Sequence, residues 1–278
     1  MNKEEVKKAV RERYGNIAKQ GRSCCGPAES CCGSTDSAQS VSRSVGYSEE
    51  ELQAVPEGAN MGLGCGNPTA LASLKEGEIV LDLGSGAGFD CFLAARQVGS
   101  TGRVIGVDMT AEMLERAREN ARKGDFGNVE FRLGEIENLP VGDNQVDIVI
   151  SNCVINLSPN KKRVFEEAFR VLRPGGRLMV SDIVLLKELP DEIRNSVAAY
   201  VACIAGATTK KEYLETIRAA GFEDTKVLGE AAYSAELLAN DPTAVEVAKN
   251  LKLSREKARN LASSIISIKV SAIKPAAR

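Results

Sequence analysis

Ile79-Val80-Leu81-Asp82-Leu83-Gly84-Ser85-Gly86-Ala87-Gly88-Phe89-Asp90 is the stretch that decides the fold. An apolar run carrying Asp82 passes into three glycines at alternate positions, and a helix-forming segment (Phe92, Leu93, Ala94, Ala95) follows. The pattern predicts a buried strand, a tight turn and a helix. Such glycines admit positive φ and let a ligand approach the backbone. The first N–H groups of the helix form an anion site, and Asp82 can hold a cation on the strand side. The zwitterionic end of an amino acid suits that turn. The spacing is G-x-G-x-G and departs from the dinucleotide G-x-G-x-x-G, which argues against NAD.

Downstream, strand and helix alternate. Arg103 to Asp108 reads as a second strand, Val129 to Leu133 as a third and Val146 to Ser151 as a fourth. A helix around Val164, Ala168 and Val171 stops at Arg173-Pro174-Gly175-Gly176, and Leu178 to Ser181 is the fifth strand. Phe222 to Leu228 and Ile265 to Ala272 read as the last two. Short loops between alternating elements imply an α/β fold, a mostly parallel seven-stranded sheet with helices on both faces. Ligands bind such sheets at the carboxyl ends of the strands. There Asp108, about 20 positions past Gly88, can take both ribose hydroxyls of a nucleoside. Glu135 can hold an adenine amino group, with the Ile136 N–H on a ring nitrogen.

The 278 residues carry 36 Lys+Arg against 38 Asp+Glu, a net charge of -2 that gives no general attraction to nucleic acid or an anionic membrane. No apolar run approaches the roughly 18–20 residues that would span a bilayer. The charged N-terminus lacks the apolar core of a signal peptide, so a cytoplasmic location is expected. There is no His and no Trp. The eight cysteines are too few for a disulfide scaffold; clustered thiols of this kind serve soft metals, metalloids or redox chemistry.

The organisation reads as three regions. Residues 1–46 comprise an amphipathic helix with Val6, Val10, Tyr14 and Ile17 on one face, then a mobile Gly/Ser/Cys segment over 21–46. That segment repeats Cys24-Cys25-Gly26-Pro27 as Cys31-Cys32-Gly33-Ser34. Residues 47–232 form the main domain. It opens with the capping box Ser48-x-x-Glu51 and a glycine-rich loop, Gly62-Leu63-Gly64-Cys65-Gly66-Asn67-Pro68, that presents Cys65 for close approach by a ligand. A helix from Asp191 through Ile193, Val197 and Val201 is expected to carry Cys203 as a lid. A further helix runs from Lys211 to Ala220. Residues 233–278 supply a mostly helical insertion and the last strand.

Val80 to Gly88, Val107-Asp108, Gly134-Glu135-Ile136-Glu137-Asn138-Leu139-Pro140 and Leu172 to Leu178 resemble the ordered motifs of Rossmann-like class I S-adenosylmethionine-dependent methyltransferases. Within that superfamily Gly62 to Pro68, Ser151-Asn152-Cys153-Val154-Ile155-Asn156-Leu157 and Cys203-Ile204-Ala205-Gly206-Ala207 look like the cysteine motifs of arsenite methyltransferases. The resemblance implies S-adenosylmethionine as cofactor, held by Asp82, Gly84, Ser85, Gly86, Gly88, Asp108, Met109, Glu135, Ile136 and Asn152. It implies As(III) on Cys153, Cys203 and Cys65, with one N-terminal cysteine among Cys24, Cys25, Cys31 and Cys32, Cys32 first, completing the catalytic set. A thiol or thioredoxin-type reductant is the implied co-substrate. As(III) is soft and prefers three sulfurs in a pyramid, which leaves its lone pair free to take a methyl. Two other readings compete. One is a methyltransferase for a small organic acceptor such as a quinone precursor; the other is a non-enzymatic thiol protein that sequesters a metalloid.

Overall fold

The computed structural model describes residues 2–20, 34–232, 254, 261 and 263–276. Among these residues four helices precede the sheet: α1 (Lys3–Gln20), α2 (Ser34–Ser44), α3 (Glu49–Gln53) and α4 (Pro68–Leu71). Then β1 (Ile79–Leu83), α5 (Phe89–Val98), β2 (Arg103–Asp108), α6 (Ala111–Lys123), β3 (Val129–Leu133) and β4 (Val146–Asn152) follow. The chain continues through α7 (Lys161–Val171), β5 (Leu172–Leu185), α8 (Asp191–Arg194), α9 (Val197–Val201), α10 (Lys210–Ala219), β6 (Glu223–Ala232) and β7 (Ile265–Ile273). The sheet order is β3-β2-β1-β4-β5-β7-β6. Its first five strands are mutually parallel, and β7 inserts antiparallel between β5 and β6.

Both faces of the central strands are covered, so alternation along each strand divides the core in two. Val80, Val104, Ile148 and Ile150 pack with Phe92 and Leu114 of α5 and α6. Leu81, Leu83 and Val149 point the other way, onto Phe165 of α7 and Tyr213 of α10. A third apolar cluster lies beyond the carboxyl ends of β4 and β5, where Val6 and Val10 of α1 meet Ile193, Tyr200 and Ile204.

Several sequence expectations need correction. Residues 21–46 were expected to be one mobile segment, yet α2 occupies Ser34–Ser44. No Gly or Pro interrupts residues 34–45, and Ala38 and Ser42, one turn apart, are both buried. Residues 21–33, with all four N-terminal cysteines, lie outside the described residues, as does nearly all of 233–262. The expected helix carrying Cys203 is two short helices. The first ends at Arg194 with Asn195 as its C-cap, Ser196 caps the second by accepting the Ala199 N–H, and Val197 is half exposed, so Ile193, Val197 and Val201 share no single face. Cys203 sits beyond the second helix in a loop. The fifth strand begins earlier than Leu178, at Leu172. Its pairing with β4 jumps from Val146–Leu172 to Ile148–Arg177, which leaves Arg173-Pro174-Gly175 protruding as a bulge.

Glu167 of α7 fixes the loop that leads from β3 toward β4. Its carboxylate accepts the Leu139 N–H at 2.8 Å and binds Arg170 at 2.7 Å and Arg163 at 2.9 Å, with the side chain 1% exposed. Those partners hold it below the usual carboxylate range despite burial. Glu167→Ala leaves a buried N–H without an acceptor and should destabilise the fold by about 2–3 kcal/mol in urea unfolding. Glu166→Ala, at an exposed neighbour, should change it by less than about 0.5 kcal/mol.

Candidate active site

The glycine turn hangs on one carbonyl: Gly84 N–H and Ser85 N–H both donate to Val107 O, at 2.7 and 3.0 Å. Gly84 has φ +69, and a Cβ there would meet Val154 Cγ2 at 2.4 Å. Gly86 has φ +52, with open space where its Cβ would stand. Asp108 folds onto this turn and accepts the N–H groups of Gly86 at 3.0 Å and Thr110 at 2.8 Å. Burial nevertheless pushes its pKa up. The open space is the floor of a cavity. Asp82, Ser85, Asp108, Met109 and Ile136 line it on the β1–β3 side, Asn152, Cys153 and Val154 close the β4 end, and Lys7, Val10 and Tyr14 of α1 roof it.

Two buried carboxylates stand at the foot of the turn. Asp90, in the first turn of α5, accepts Tyr47 Oη–H at 2.6 Å and Asn152 Nδ2–H at 3.0 Å. Burial still raises its pKa to about 6, opposed by those two donors and assisted by Glu51. Asp82 takes the Cys91 thiol at 3.2 Å and is raised well above the carboxylate range, first by burial and then by Asp90. The charges acting on both are those of other acids, so the pair suits a cationic ligand group. Asp90 lies in the first turn of a helix, away from the strand ends that the sequence marks for acids. The signal that could have found it is an acid two residues beyond the last glycine of the turn, at a helix start.

At the β4 end three thiols converge. Cys153 follows β4 with φ +60 and donates its N–H to Ser181 O at 2.8 Å; Cys203 has φ +62, and its thiol donates to Cys153 O at 3.1 Å. The left-handed region costs a residue with a Cβ about 1–2 kcal/mol, and two cysteines bear that cost in one site. Cys65 enters from the glycine loop. Its N–H binds Asn152 Oδ1 at 3.0 Å and its thiol lies 3.6 Å from Ser181 O. The flanking glycines serve that docking, because Cβ atoms at Gly64 and Gly66 would stand 2.5 Å from Asn152 and 2.6 Å from Ser181. All three thiols are free and buried. Only Cys153 forms part of the cavity wall; Cys65 and Cys203 pack behind it.

Asp182, one residue beyond the expected end of strand five, is a site residue that the sequence did not disclose. One of its oxygens and the sulfurs of Cys65 and Cys153 lie within 4.8 Å of one another. It accepts Asn156 Nδ2–H at 2.8 Å, Ile183 N–H at 2.9 Å and Tyr213 Oη–H at 3.0 Å. Burial outweighs those donors and the charge of Lys161, and its pKa is pushed up to about 7. The thiols are raised too. Cys65 is raised chiefly by burial; at Cys153 the Cys203 hydrogen bond works the other way but is overcome by the Cys65 contact, burial and Asp182. At Cys203 the bond to Cys153 is the leading cause.

Glu135 is turned from the cavity, its carboxylate bound by Lys7 at 2.6 Å and Arg11 at 3.2 Å, while its neighbours Gly134, Ile136 and Glu137 line the wall. Among the described residues no helix is long and apolar enough to cross a membrane.

The family profile described as "Methyltransferase domain" matches residues 74–221. An arsenite methyltransferase of Halobacterium salinarum is 50% identical over 230 residues, 81% of this chain and 59% of that protein. The Homo sapiens arsenite methyltransferase is 36% identical over 229 residues, 78% of this chain and 58% of that protein. The chain thus spans about three fifths of the length of these curated relatives. Among solved structures, CrArsM, an arsenic (III) S-adenosylmethionine methyltransferase from Chlamydomonas reinhardtii, superposes with a TM-score of 0.63 at 33% identity, covering 84% of this chain and 74% of that one.

The two turn glycines should separate in mutagenesis. Gly84→Ala drives a methyl into Val154 and should lower stability by about 2–4 kcal/mol. Gly86→Ala meets open space and should cost only the left-handed conformation, about 1 kcal/mol. Denaturant melts of the two variants check this.

Proposed function

Because the chain belongs to the methyltransferase-domain family and, within it, to the arsenite methyltransferases, we propose that it transfers methyl groups from S-adenosylmethionine to As(III) held on its buried thiols. The observation that carries this reading is Cys153 in the wall of the cavity, with Cys65 and Cys203 packed directly behind it.

The cavity fits the cofactor on three counts. Gly86 leaves room for a ligand to lie against the backbone. Asp82 and Asp90 offer two buried carboxylates to an ammonium group. Asp108 stands at the end of β2, where ribose hydroxyls are held in such sheets. We assign cofactor binding to these residues together with Gly84, Ser85, Met109, Ile136 and Asn152; Gly88 is the left-handed N-cap of α5, packed against Phe92 and Phe131 outside the cavity lining, and Glu135 can join them only on leaving Lys7 and Arg11. Bound there, S-adenosylmethionine supplies a methyl activated by its sulfonium, with S-adenosylhomocysteine as the leaving group.

The thiols do the rest of the work. Arsenous acid is neutral, and three thiols displace its three hydroxides as water, each thiol proton leaving with an oxygen. No separate base is needed, so the absence of histidine is no obstacle. Thiolate ligands raise electron density on arsenic, and its lone pair is the nucleophile. Catalysis then rests on holding nucleophile and methyl in a near-attack pose inside a water-poor cavity. Methylation raises arsenic formally to As(V), and two electrons must restore the trivalent state. We assign their supply to disulfide formation between Cys65 and the Cys24/Cys25/Cys31/Cys32 segment, Cys32 first, reopened by a thioredoxin-type reductant. This chemistry belongs in a reducing, cytoplasmic setting.

Purified protein with S-adenosylmethionine and a thiol reductant should form S-adenosylhomocysteine only when arsenite is present. Cys153→Ser and Cys203→Ser should each lower that rate by at least about 100-fold. Turnover that needs no arsenite and survives both substitutions would point to an organic acceptor instead. Cofactor affinity should also depend on pH. A cationic ligand favours ionised Asp82 and Asp90, and Glu51, Asp108, Cys91 and Tyr47 are the other titratable groups acting on that pair. Because burial and Asp90 hold the Asp82 carboxyl higher still, affinity should go on rising as pH climbs above about 6. As pH falls through that value the pair takes up a proton that binding must expel, and affinity should drop toward about tenfold per pH unit. Calorimetric titration with S-adenosylhomocysteine from pH 5 to 8 measures it.

A further inference from the structure

Three sulfurs satisfy As(III), whose fourth direction is taken by its lone pair, so the arsenic chemistry leaves Asp182 without a role. Its position nevertheless groups it with the thiols: one carboxylate oxygen and the sulfurs of Cys65 and Cys153 form a buried set within 4.8 Å. We propose that Cys65, Cys153 and Asp182 form a second kind of ion site in the same place, one for a soft divalent cation of the zinc or cadmium type.

Donor capacity, charge and size all support this. An ionised carboxylate has about four acceptor positions. Asp182 spends two on Oδ1, toward Asn156 and Ile183, and one on Oδ2, toward Tyr213, which leaves one on Oδ2 for a cation. Those three donors also fix the carboxylate in place, as the supporting hydrogen bonds of a metal ligand do. Two thiolates and a carboxylate carry three negative charges, which a dication and the Lys161 ammonium cancel, and the Lys161 charge acts on Asp182. As(III) neutralises three thiolates by itself and leaves the carboxylate over. A tetrahedral zinc with thiolate and carboxylate ligands needs its donors about 3.5–3.8 Å apart. A set within 4.8 Å reaches that by shifts of about an ångström or less. The two ions share Cys65 and Cys153 and differ in the third donor, sulfur for arsenic and oxygen for the dication. The site therefore excludes one ion while it holds the other.

The proposal stands on donor geometry and is independent of methyl transfer, so its test is made without turnover. The reduced 278-residue chain, with Cys24, Cys25, Cys31 and Cys32 replaced by Ser to remove competing thiols, is titrated with cadmium. Ultraviolet sulfur-to-cadmium charge transfer reports binding, and cadmium NMR reports the donor set. The expected result is one cadmium per chain with a shift typical of mixed sulfur and oxygen ligation, displaced stoichiometrically by arsenite. Affinity should fall at least about tenfold in Asp182→Asn and be lost in Cys65→Ser. An all-sulfur shift in the chain that retains Asp182 would overturn the proposal whether or not the variants fold. So would unchanged affinity in Asp182→Asn, simultaneous binding of arsenite and cadmium, or no binding at all.

Discussion

The side-chain amide of Asn152 is the junction on which both halves of the site depend. Its oxygen accepts the Cys65 N–H, and the two N–H bonds of its nitrogen are shared among Gly66 O at 2.8 Å, Tyr47 Oη at 2.9 Å and Asp90 Oδ2 at 3.0 Å. One planar group at the end of β4 thus holds the thiol loop on one side and the buried acid at the foot of the glycine turn on the other. An amide has both acceptor and donor faces, and neither a carboxylate nor a hydrocarbon of the same shape could satisfy all four partners. In a buried network of this kind a partly satisfied member costs more than an apolar replacement, so the loop, Tyr47 and Asp90 are placed together or not at all.

That junction works because the sheet delivers its chemistry to a single edge. In the parallel register Leu83 pairs with Val107 and with Ser151, and Asn152 pairs with Ser181. Strand ends far apart in sequence therefore finish within a residue or two of one another. Asp82, Asp108, Cys153 and Asp182 meet there through backbone pairing, before any side-chain preference acts. Ser181 shows the economy of the arrangement. Its carbonyl accepts the Cys153 N–H and the Cys65 thiol, while its neighbour Asp182 brings the carboxylate.

Much of this was legible in the sequence because it rests on local rules. Strand, glycine turn and helix are periodic, the capping box at Ser48 and Glu51 forms as its spacing requires, and the Cys153 and Cys65 motifs fall at the end of β4 and in the docked glycine loop. What stayed hidden depends on contacts between distant segments. Asp182 reads as the residue after a strand, and only the crossing of Tyr213 and Asn156 over it makes it a buried carboxylate. Glu135 had the correct strand end for a nucleoside, but α1, about 125 residues earlier, supplies the cations that turn it aside. Composition was misleading over Ser34–Ser44. Serines imply a loop, yet a short helix there needs only a few small residues on the face that touches the body.

The left-handed backbones of Cys153 and Cys203 have a consequence for how this protein can change. Glycine or asparagine at either position would relieve the backbone, so the substitutions most favourable to folding there are ones that delete a sulfur. On the proposed chemistry, selection for thermal robustness alone would then drift toward an inert protein, and retention of both thiols would require selection on that chemistry. The site and the fold pull in opposite directions at the same two residues.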